Sequence, residues 1–165
     1  MYIYMTNGTF DFLQKLKDKY PKEKMLLMQN NEGAVLIHET FKKTLFSAPR
    51  RYEVIESIGN LENTGFVALH HIPVTDDDKP TFEYRFKNNA KQLQSFQGFT
   101  ALRVLRPIKS NMYVVLTLWI DEKSYIGWEK SQVYQSFFQD TKAISTQTKM
   151  FMGSAYVSKY YIAEE

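Results

Sequence analysis

The stretch YVVLTLWI, residues 113–120, carries the strongest strand signal in the chain. Almost all of its residues are of the types that favour a pleated, buried strand. Residues 100–106, just before it, alternate as a second strand does, and Pro107 with Ser110 and Asn111 supplies a turn between the two. The two segments therefore predict consecutive strands joined by a short connection.

Helices and further strands flank this pair in the order β-α-β-β-α-β. Pro80 suits the first turn of the helix that precedes the pair, and the apolar side of that helix continues to Leu93. This order predicts an α+β, ferredoxin-like C-terminal domain of the dimeric α/β-barrel type. The other predicted elements of this domain are a strand at 66–74, helices at 122–130 and 131–140, and a last strand at 151–162.

The first sixty residues are predicted to form a smaller α/β unit. Thr9 is placed to cap a helix whose apolar side includes Leu13 and Leu16, and Pro21 ends that helix. The short polar stretch at 61–65 marks a boundary, which divides an N-terminal α/β segment (1–62) from the ferredoxin-like domain (63–165) packed against it. The other predicted elements are strands at 2–6, 25–29, 34–38 and 44–46, and a helix at 50–58 closed by Gly59.

A ferredoxin-like sheet has one face free of helices, which a second copy of the same domain commonly covers. In this chain the N-terminal segment is available to cover that face. We therefore expect a monomer or a weak homodimer.

The charge balance and the cysteine count exclude several classes of protein. With 21 basic and 18 acidic residues, the chain lacks the strong basic excess of a dedicated nucleic-acid binder. It has no cysteine, which excludes disulfides, thiolate metal sites, iron–sulfur clusters and cysteine nucleophiles. No apolar run is long enough to span a bilayer, and the first residues do not resemble a signal peptide. We expect a cytoplasmic protein with neither a nucleic-acid nor a membrane partner.

The aromatic content allows two interpretations. The chain has 12 Phe, 11 Tyr and 2 Trp, which either build an aromatic core or line a flat apolar ligand pocket. Composition alone favours the core. The sequence contains no HExxH, GxSxG, P-loop or GxGxxG motif that would indicate another chemistry.

Three histidines and one tryptophan are the candidate functional residues. His38 lies at the end of a predicted strand without ligand spacing, so we interpret it as structural. His70 and His71 are adjacent on a strand and must point to opposite faces, so one of them faces the helices. An imidazole in an aromatic cleft can bind iron or donate a hydrogen bond, but it can equally be a satisfied core residue. Trp128 likewise suits the core on its spacing, with a ligand contact as the alternative.

Several segments together resemble a known family. Residues 116–119, Trp128, and then Ser131, Val133 and Tyr134 resemble the C-terminal half of the antibiotic biosynthesis monooxygenase domain. More narrowly, they resemble the IsdG-type haem-degrading monooxygenases, and within these the HmoB and staphylococcal TRAP subgroup, which has an N-terminal extension. Further stretches that resemble this subgroup lie at 26–29, 36–40, 52–55, 85–88 and 102–107.

The resemblance implies a haem site in a cleft between the sheet and the helices. Haem would be both substrate and cofactor, and an external reductant would act as electron donor. The family's tryptophan, which presses on the porphyrin, corresponds to Trp128, and its strand asparagine corresponds to His70. Its axial histidine corresponds to Phe138, which cannot bind iron, so His70 is the candidate iron ligand. Phe86 and Phe138 would line the slot.

The same resemblance leaves the propionate contacts and the activity open. Arg85 and Arg103 are candidates for the haem propionates, although solvation at the surface is favoured for both. The first functional hypothesis is a haem-degrading monooxygenase with His70 and Trp128 as catalytic residues. The second is a non-catalytic haem-binding protein for storage, delivery or sensing. The third is a cofactor-free monooxygenase that acts on a small aromatic compound.

Overall fold

The computed structural model describes residues 1–145 and 155–163, and over 139–145 it describes the backbone alone. The strands are β1 (Tyr2–Gly8), β2 (Lys24–Asn30), β3 (Gly33–Thr40), β4 (Arg50–Ile58), β5 (Phe66–Pro73), β6 (Phe99–Pro107), β7 (Met112–Trp119) and β8 (Tyr156–Ile162). The helices are α1 (Phe10–Lys19), α2 (Lys79–Asn89), α3 (Glu122–Glu129) and α4 (Gln132–Ser145), and two 3-10 turns, Asp76–Asp78 and Ala90–Ser95, flank α2.

The eight strands of the described residues join in one closed antiparallel barrel. Their order around the barrel is β1-β3-β2-β8-β5-β7-β6-β4, and β4 pairs again with β1. Two seams close the barrel between the N-terminal and C-terminal strands: β4 pairs with β6 along most of its length, and β2 meets β8 at Met28 and Gln29. Each strand therefore has a neighbour on both sides, and the barrel closes within a single chain.

Each half of the barrel has the strand order of a ferredoxin-like sheet. In the C-terminal half this order is β8-β5-β7-β6, and the predicted β-α-β-β-α-β sequence of elements is confirmed. The N-terminal half repeats the neighbour order as β4-β1-β3-β2, with α1 between its first two strands. Residues 41–49, between β3 and β4, form no regular helix. The division between residues 62 and 63, which falls between β4 and β5, stays a prediction.

Three groups of buried side chains hold these layers together. Inside the barrel, aliphatic residues such as Ile3, Leu69 and Leu116 pack against one another. On the outside of the C-terminal sheet, α2, α3 and α4 cover an aromatic-rich core. On the outside of the N-terminal sheet, α1 covers a smaller core around Leu13. Because both faces of the strands are covered, β5 is buried along its whole length.

The helix predicted at 50–58 is wrong, because this segment is strand β4. The register shifts between Val54 and Glu56, as at a β-bulge. Tyr52 and Val54 pack inside the barrel, whereas Ile55 and Ile58 pack against the outer core. The bulge breaks the two-residue alternation, so the apolar spacing imitates that of a helix. Gly59 ends the strand with φ +72°, and a Cβ there would lie 2.1 Å from the Thr100 carbonyl oxygen.

Two smaller strand predictions also differ from the structure. Residues 44–46 form no strand, although Phe46 is buried in the core under α1. The last strand begins at Tyr156, and residues 151–154 of the predicted strand lie outside the described part of the chain. Among the described helices, none combines the length and the apolar character that crossing a membrane would need.

A buried ion pair crosses the barrel interior between the two halves. The Arg103 Nε on β6 donates to Glu39 Oε2 on β3 at 2.6 Å, and the two side chains are 3% and 6% exposed. The Arg103 guanidinium also donates to the backbone oxygens of Ile58 at 3.0 Å and Leu102 at 2.8 Å. Arg103 is therefore inside the barrel, so the prediction that places it at the surface or near haem propionates is wrong.

We expect loss of either partner of this pair to destabilise the fold strongly. Glu39→Gln leaves the Arg103 charge buried without a carboxylate, which typically costs about 3–5 kcal/mol. Arg103→Met leaves Glu39 with the half-exposed Lys24, 3.6 Å away, as its remaining cation, so its cost should be somewhat smaller. The double variant Arg103→Met/Glu39→Leu removes both charges, so its free energy of unfolding should lie much nearer to the parental value. Urea unfolding of the four proteins measures these differences.

A control is the pair of Lys79 and the exposed Asp76, whose charged atoms are 2.9 Å apart. Asp76→Asn should change the free energy of unfolding by less than about 1 kcal/mol. Single variants at Arg103 and Glu39 that unfold like this control would show that the buried pair contributes nothing to the barrel.

Candidate functional site

The predicted site residues lie together on the outer face of the C-terminal sheet. His70 on β5 points towards the helices, Phe86 comes from α2, Trp128 from α3 and Phe138 from α4. All four are buried, and Trp128 is fully so. His71 takes the opposite face of β5 because neighbouring strand residues alternate.

The rings of these residues are in direct contact. The His70 and Trp128 ring centroids are 6.0 Å apart with the rings nearly perpendicular, and Phe138 stacks on His70 at 4.4 Å. Tyr134 contacts Trp128 at 4.8 Å, and Phe86 lies 6.0 Å from Phe138. We call His70, Phe86, Trp128, Tyr134 and Phe138 the aromatic cluster.

A chain of hydroxyl and carboxylate groups connects His70 to the surface. The Tyr134 hydroxyl lies 3.2 Å from His70 Nε2, and the Tyr125 hydroxyl lies 3.5 Å from the same nitrogen. Tyr125 donates to Glu129 Oε2 at 2.8 Å, and Glu129 is partly exposed and 3.8 Å from Lys159 Nζ. The sequence patterns did not point to Tyr125 or Glu129. The available signal was their helical spacing, because Tyr125 and Glu129 lie one turn apart on α3 beside Trp128.

The groups inside the cluster are uncharged at neutral pH. Burial, and to a lesser degree the neighbouring His71, lowers the pKa of His70 to about 3, although the nearby Val115 backbone opposes this. Burial raises the pKa of the Tyr125 and Tyr134 hydroxyls. A neutral imidazole is the form that binds a metal or accepts a hydrogen bond. The chemistry of His70 is therefore that of a ligand or acceptor, not of a cation.

Two buried nitrogens of the cluster have no hydrogen-bond partner among the described residues. They are His70 Nδ1 and Trp128 Nε1. Buried polar atoms are almost always hydrogen-bonded, so an unpartnered one needs an explanation. A ligand with acceptor groups would give the indole N–H of Trp128 a hydrogen-bond partner.

The cluster is closed in this conformation. Aromatic rings at these separations touch each other, so no porphyrin fits between His70 and Trp128 as they stand. The residue types fit a haem site, but this closed conformation leaves no room for the porphyrin between the rings. Phe138 and Tyr134 both come from α4, so these two contacts of the cluster depend on the position of that one helix.

An opening beside α2 is bordered by Phe86. This cavity has a volume of about 330 Å³ and is lined in part by Glu53, Glu83 and Arg106. Arg106 is hydrogen-bonded to both carboxylates. Arg106 is already paired with these two acids, and Lys87 is the other basic side chain among the described lining residues.

The other histidines lie away from the cluster. His38 is on the outside of the N-terminal sheet, between Tyr4 and Phe46. His71 faces the barrel interior and stacks on Tyr156. The described residues contain no group of three or more His, Asp and Glu side chains that could hold a metal ion. His70 is therefore the one imidazole that the described chain brings to the aromatic cluster.

Comparison with known proteins identifies the domain that carries this cluster. Residues 65–140 match the sequence profile of the family "Antibiotic biosynthesis monooxygenase". This range begins just before β5 and includes His70, Phe86, Trp128 and Phe138.

Comparison over the whole chain finds relatives of similar length. The signal transduction protein TRAP of Staphylococcus aureus is 27% identical over 136 residues, which cover 82% of this chain and 81% of that protein. A solved structure of a major regulator of staphylococcal pathogenesis has a TM-score of 0.88 and 25% identity, and the match covers all of both chains. The heme-degrading enzyme LmHde of Listeria monocytogenes has a TM-score of 0.81 and 19% identity, covering 99% of this chain and 100% of that one.

These matches bear on the fold and on the family in different ways. The structural likeness to LmHde shows a shared fold and no more, because the two sequences are only 19% identical. The family match and the TRAP relatives agree with the resemblance found in the sequence. The resemblance to the antibiotic biosynthesis monooxygenase family is therefore confirmed over residues 65–140.

Proposed function

We propose that this protein is a haem-degrading monooxygenase, which opens the porphyrin with O2 and electrons from an external reductant and releases iron. The observation that carries the proposal is that His70 and Trp128 lie together in the buried aromatic cluster, with their ring centroids 6.0 Å apart. The cluster lies within residues 65–140, which match the antibiotic biosynthesis monooxygenase family. The heme-degrading enzyme LmHde, which has the same fold, supports the choice of haem as the substrate.

In this proposal each residue of the cluster has a separate task. Haem, when bound, supplies the iron at which O2 reacts. His70 would offer a neutral imidazole nitrogen to the iron, and before haem binds the Tyr134 hydroxyl holds the ring through its Nε2. Trp128 would press its indole on the bound porphyrin, which is the role that the resemblance implies. Phe86 and Phe138 form apolar walls that exclude water.

Binding requires the cluster to open, and α4 is the element that would move. Phe138 stacks on His70, and Tyr134 holds its nitrogen, so both contacts must be exchanged for contacts with the porphyrin. Because the barrel closes within one chain, we propose that a monomer is sufficient for this site. The apolar area that the porphyrin covers would offset the lost ring contacts.

One observation favours a second candidate function, haem binding without turnover. Phe138 stands where the resemblance expects an axial histidine, and a phenyl ring cannot hold iron. With His70 as the sole imidazole of the cluster, haem held from that side would be stored, delivered or sensed. Addition of ascorbate separates the two functions, because the Soret band bleaches with iron release in an enzyme and persists in a binding protein.

The proposal predicts the result of a hemin titration. The purified protein should give a saturable Soret band with one haem per chain. His70→Ala should shift this band and weaken binding by about tenfold or more, because an iron ligand is lost. Trp128→Ala should still bind haem but degrade it at least about tenfold more slowly with ascorbate, because the ring is no longer distorted. Absorbance spectra and an iron-chelator assay measure both effects.

The control is His38→Gln, which removes a buried imidazole on the other half of the barrel. Its Soret band and its rate of bleaching should match those of the parent. Absence of any saturable band in the parent would contradict haem binding and favour a cofactor-free monooxygenase. Bleaching of the Trp128→Ala variant at the parental rate would remove the role assigned to the indole.

The neutral state of His70 predicts how stability depends on pH. The pKa of His70 is about 3 in the folded chain, against about 6.5 in the unfolded chain. Between these values the unfolded chain binds a proton that the folded chain does not, so acid lowers the free energy of unfolding. The loss is about 1.4 kcal/mol per pH unit for each such histidine.

His70→Phe should therefore reduce the slope of this free energy against pH by about 1 kcal/mol per unit between about pH 6 and about pH 5. Urea unfolding at a series of pH values measures the slope. Phe82→Leu, a core change on the same face without a titratable group, should lower stability equally at each pH. An unchanged slope in His70→Phe would show that His70 is charged or exposed in the folded state.

A further inference from the structure

One end of the barrel holds a cavity that shares no lining residue with the aromatic cluster. Its volume is about 540 Å³, and it opens where β4 begins and β5 ends. His71 reaches it from inside the barrel, whereas His70 faces the helices on the other side of β5. We call the cavity, with Arg50, Arg51, His71, Lys109 and Tyr156 in its lining, the barrel mouth.

The barrel mouth is positively charged. Arg50, Arg51 and Lys109 line it, and none of its described lining residues is acidic. None of these three cations forms an ion pair with a carboxylate of the described residues. Arg50 is held in place by a hydrogen bond from its Nη2 to Asn7 Oδ1 at 2.8 Å. Three uncompensated cations around one cavity repel each other, and an anion bound among them would relieve that repulsion.

A flat aromatic wall stands beside these cations. The His71 and Tyr156 rings are nearly parallel, with centroids 4.3 Å apart and an angle of 11° between the ring planes. His71 is buried, while Tyr156 is 52% exposed. Burial, together with the charge of Arg50, lowers the pKa of His71 to about 4, so this ring is neutral at physiological pH. The wall therefore presents an aromatic surface without a charge of its own.

We propose that the barrel mouth binds a small organic anion that carries an aromatic ring, of the size and chemistry of a nucleoside monophosphate. Arg50, Arg51 and Lys109 would hold the phosphate or carboxylate group, and the exposed face of Tyr156 would stack on the ring. The cavity volume lies within the usual range for small-molecule sites. The site is independent of haem, because β5 separates it from the aromatic cluster.

Calorimetric titration at low ionic strength with AMP, adenosine and inorganic phosphate tests this proposal. AMP should bind saturably at one site, and adenosine and phosphate should each bind at least about tenfold more weakly, because each lacks one of the two recognised groups. The double variant Arg51→Gln/Lys109→Gln should weaken AMP binding by about tenfold or more. Tyr156→Leu should reduce AMP binding towards the level of phosphate, and Tyr156→Phe should preserve it.

The matched control is Lys15→Gln/Lys22→Gln, which makes the same change in net charge at exposed positions away from the mouth. It should bind AMP like the parent. Equal binding of AMP to the two double variants, or no saturable AMP binding by the parent, would overturn the site. Phosphate binding as tight as that of AMP would overturn the aromatic recognition. Circular dichroism of each variant separates loss of binding from loss of fold.

Discussion

Closure of the barrel within one chain is the constraint on which the rest of the structure depends. The seams of β4 with β6 and of β2 with β8 bring together two ferredoxin-like sheets, and the ion pair of Arg103 and Glu39 links them inside. The interior is filled by packed aliphatic side chains around that pair. A large flat ligand therefore has to bind outside the barrel, between the C-terminal sheet and its helices.

The alternation of side chains along β5 gives two adjacent histidines different chemistry. His70 enters an apolar cluster of rings with two tyrosine hydroxyls near its Nε2, and His71 enters a basic cavity beside Tyr156. Burial lowers the pKa of both, so neither imidazole carries a charge at neutral pH. One strand thus supplies a neutral ring to each of two separate environments.

The sequence predicted the C-terminal half well, because its strands alternate regularly and its turns contain typical residues. It failed at β4, where a bulge produces helix-like spacing, and at Arg103, since no local pattern reveals that Glu39 is its partner. The resemblance to a family singled out Trp128 and His70, whereas spacing alone favoured the core for Trp128 and left both interpretations open for His70. The close packing of Phe138 on His70 depends on how α4 sits on the sheet, and no single sequence pattern encodes that.

The N-terminal half repeats the strand order of the C-terminal half but replaces its second helical region with the irregular residues 41–49. A barrel assembled from two identical chains has, by symmetry, two equivalent outer faces and hence two equivalent sites. Here the two outer faces are different, and only the C-terminal one has the helices that supply Trp128 and Phe138. The stoichiometry is consequently one such cluster per barrel, and cooperativity between twin sites has no structural basis in the single chain.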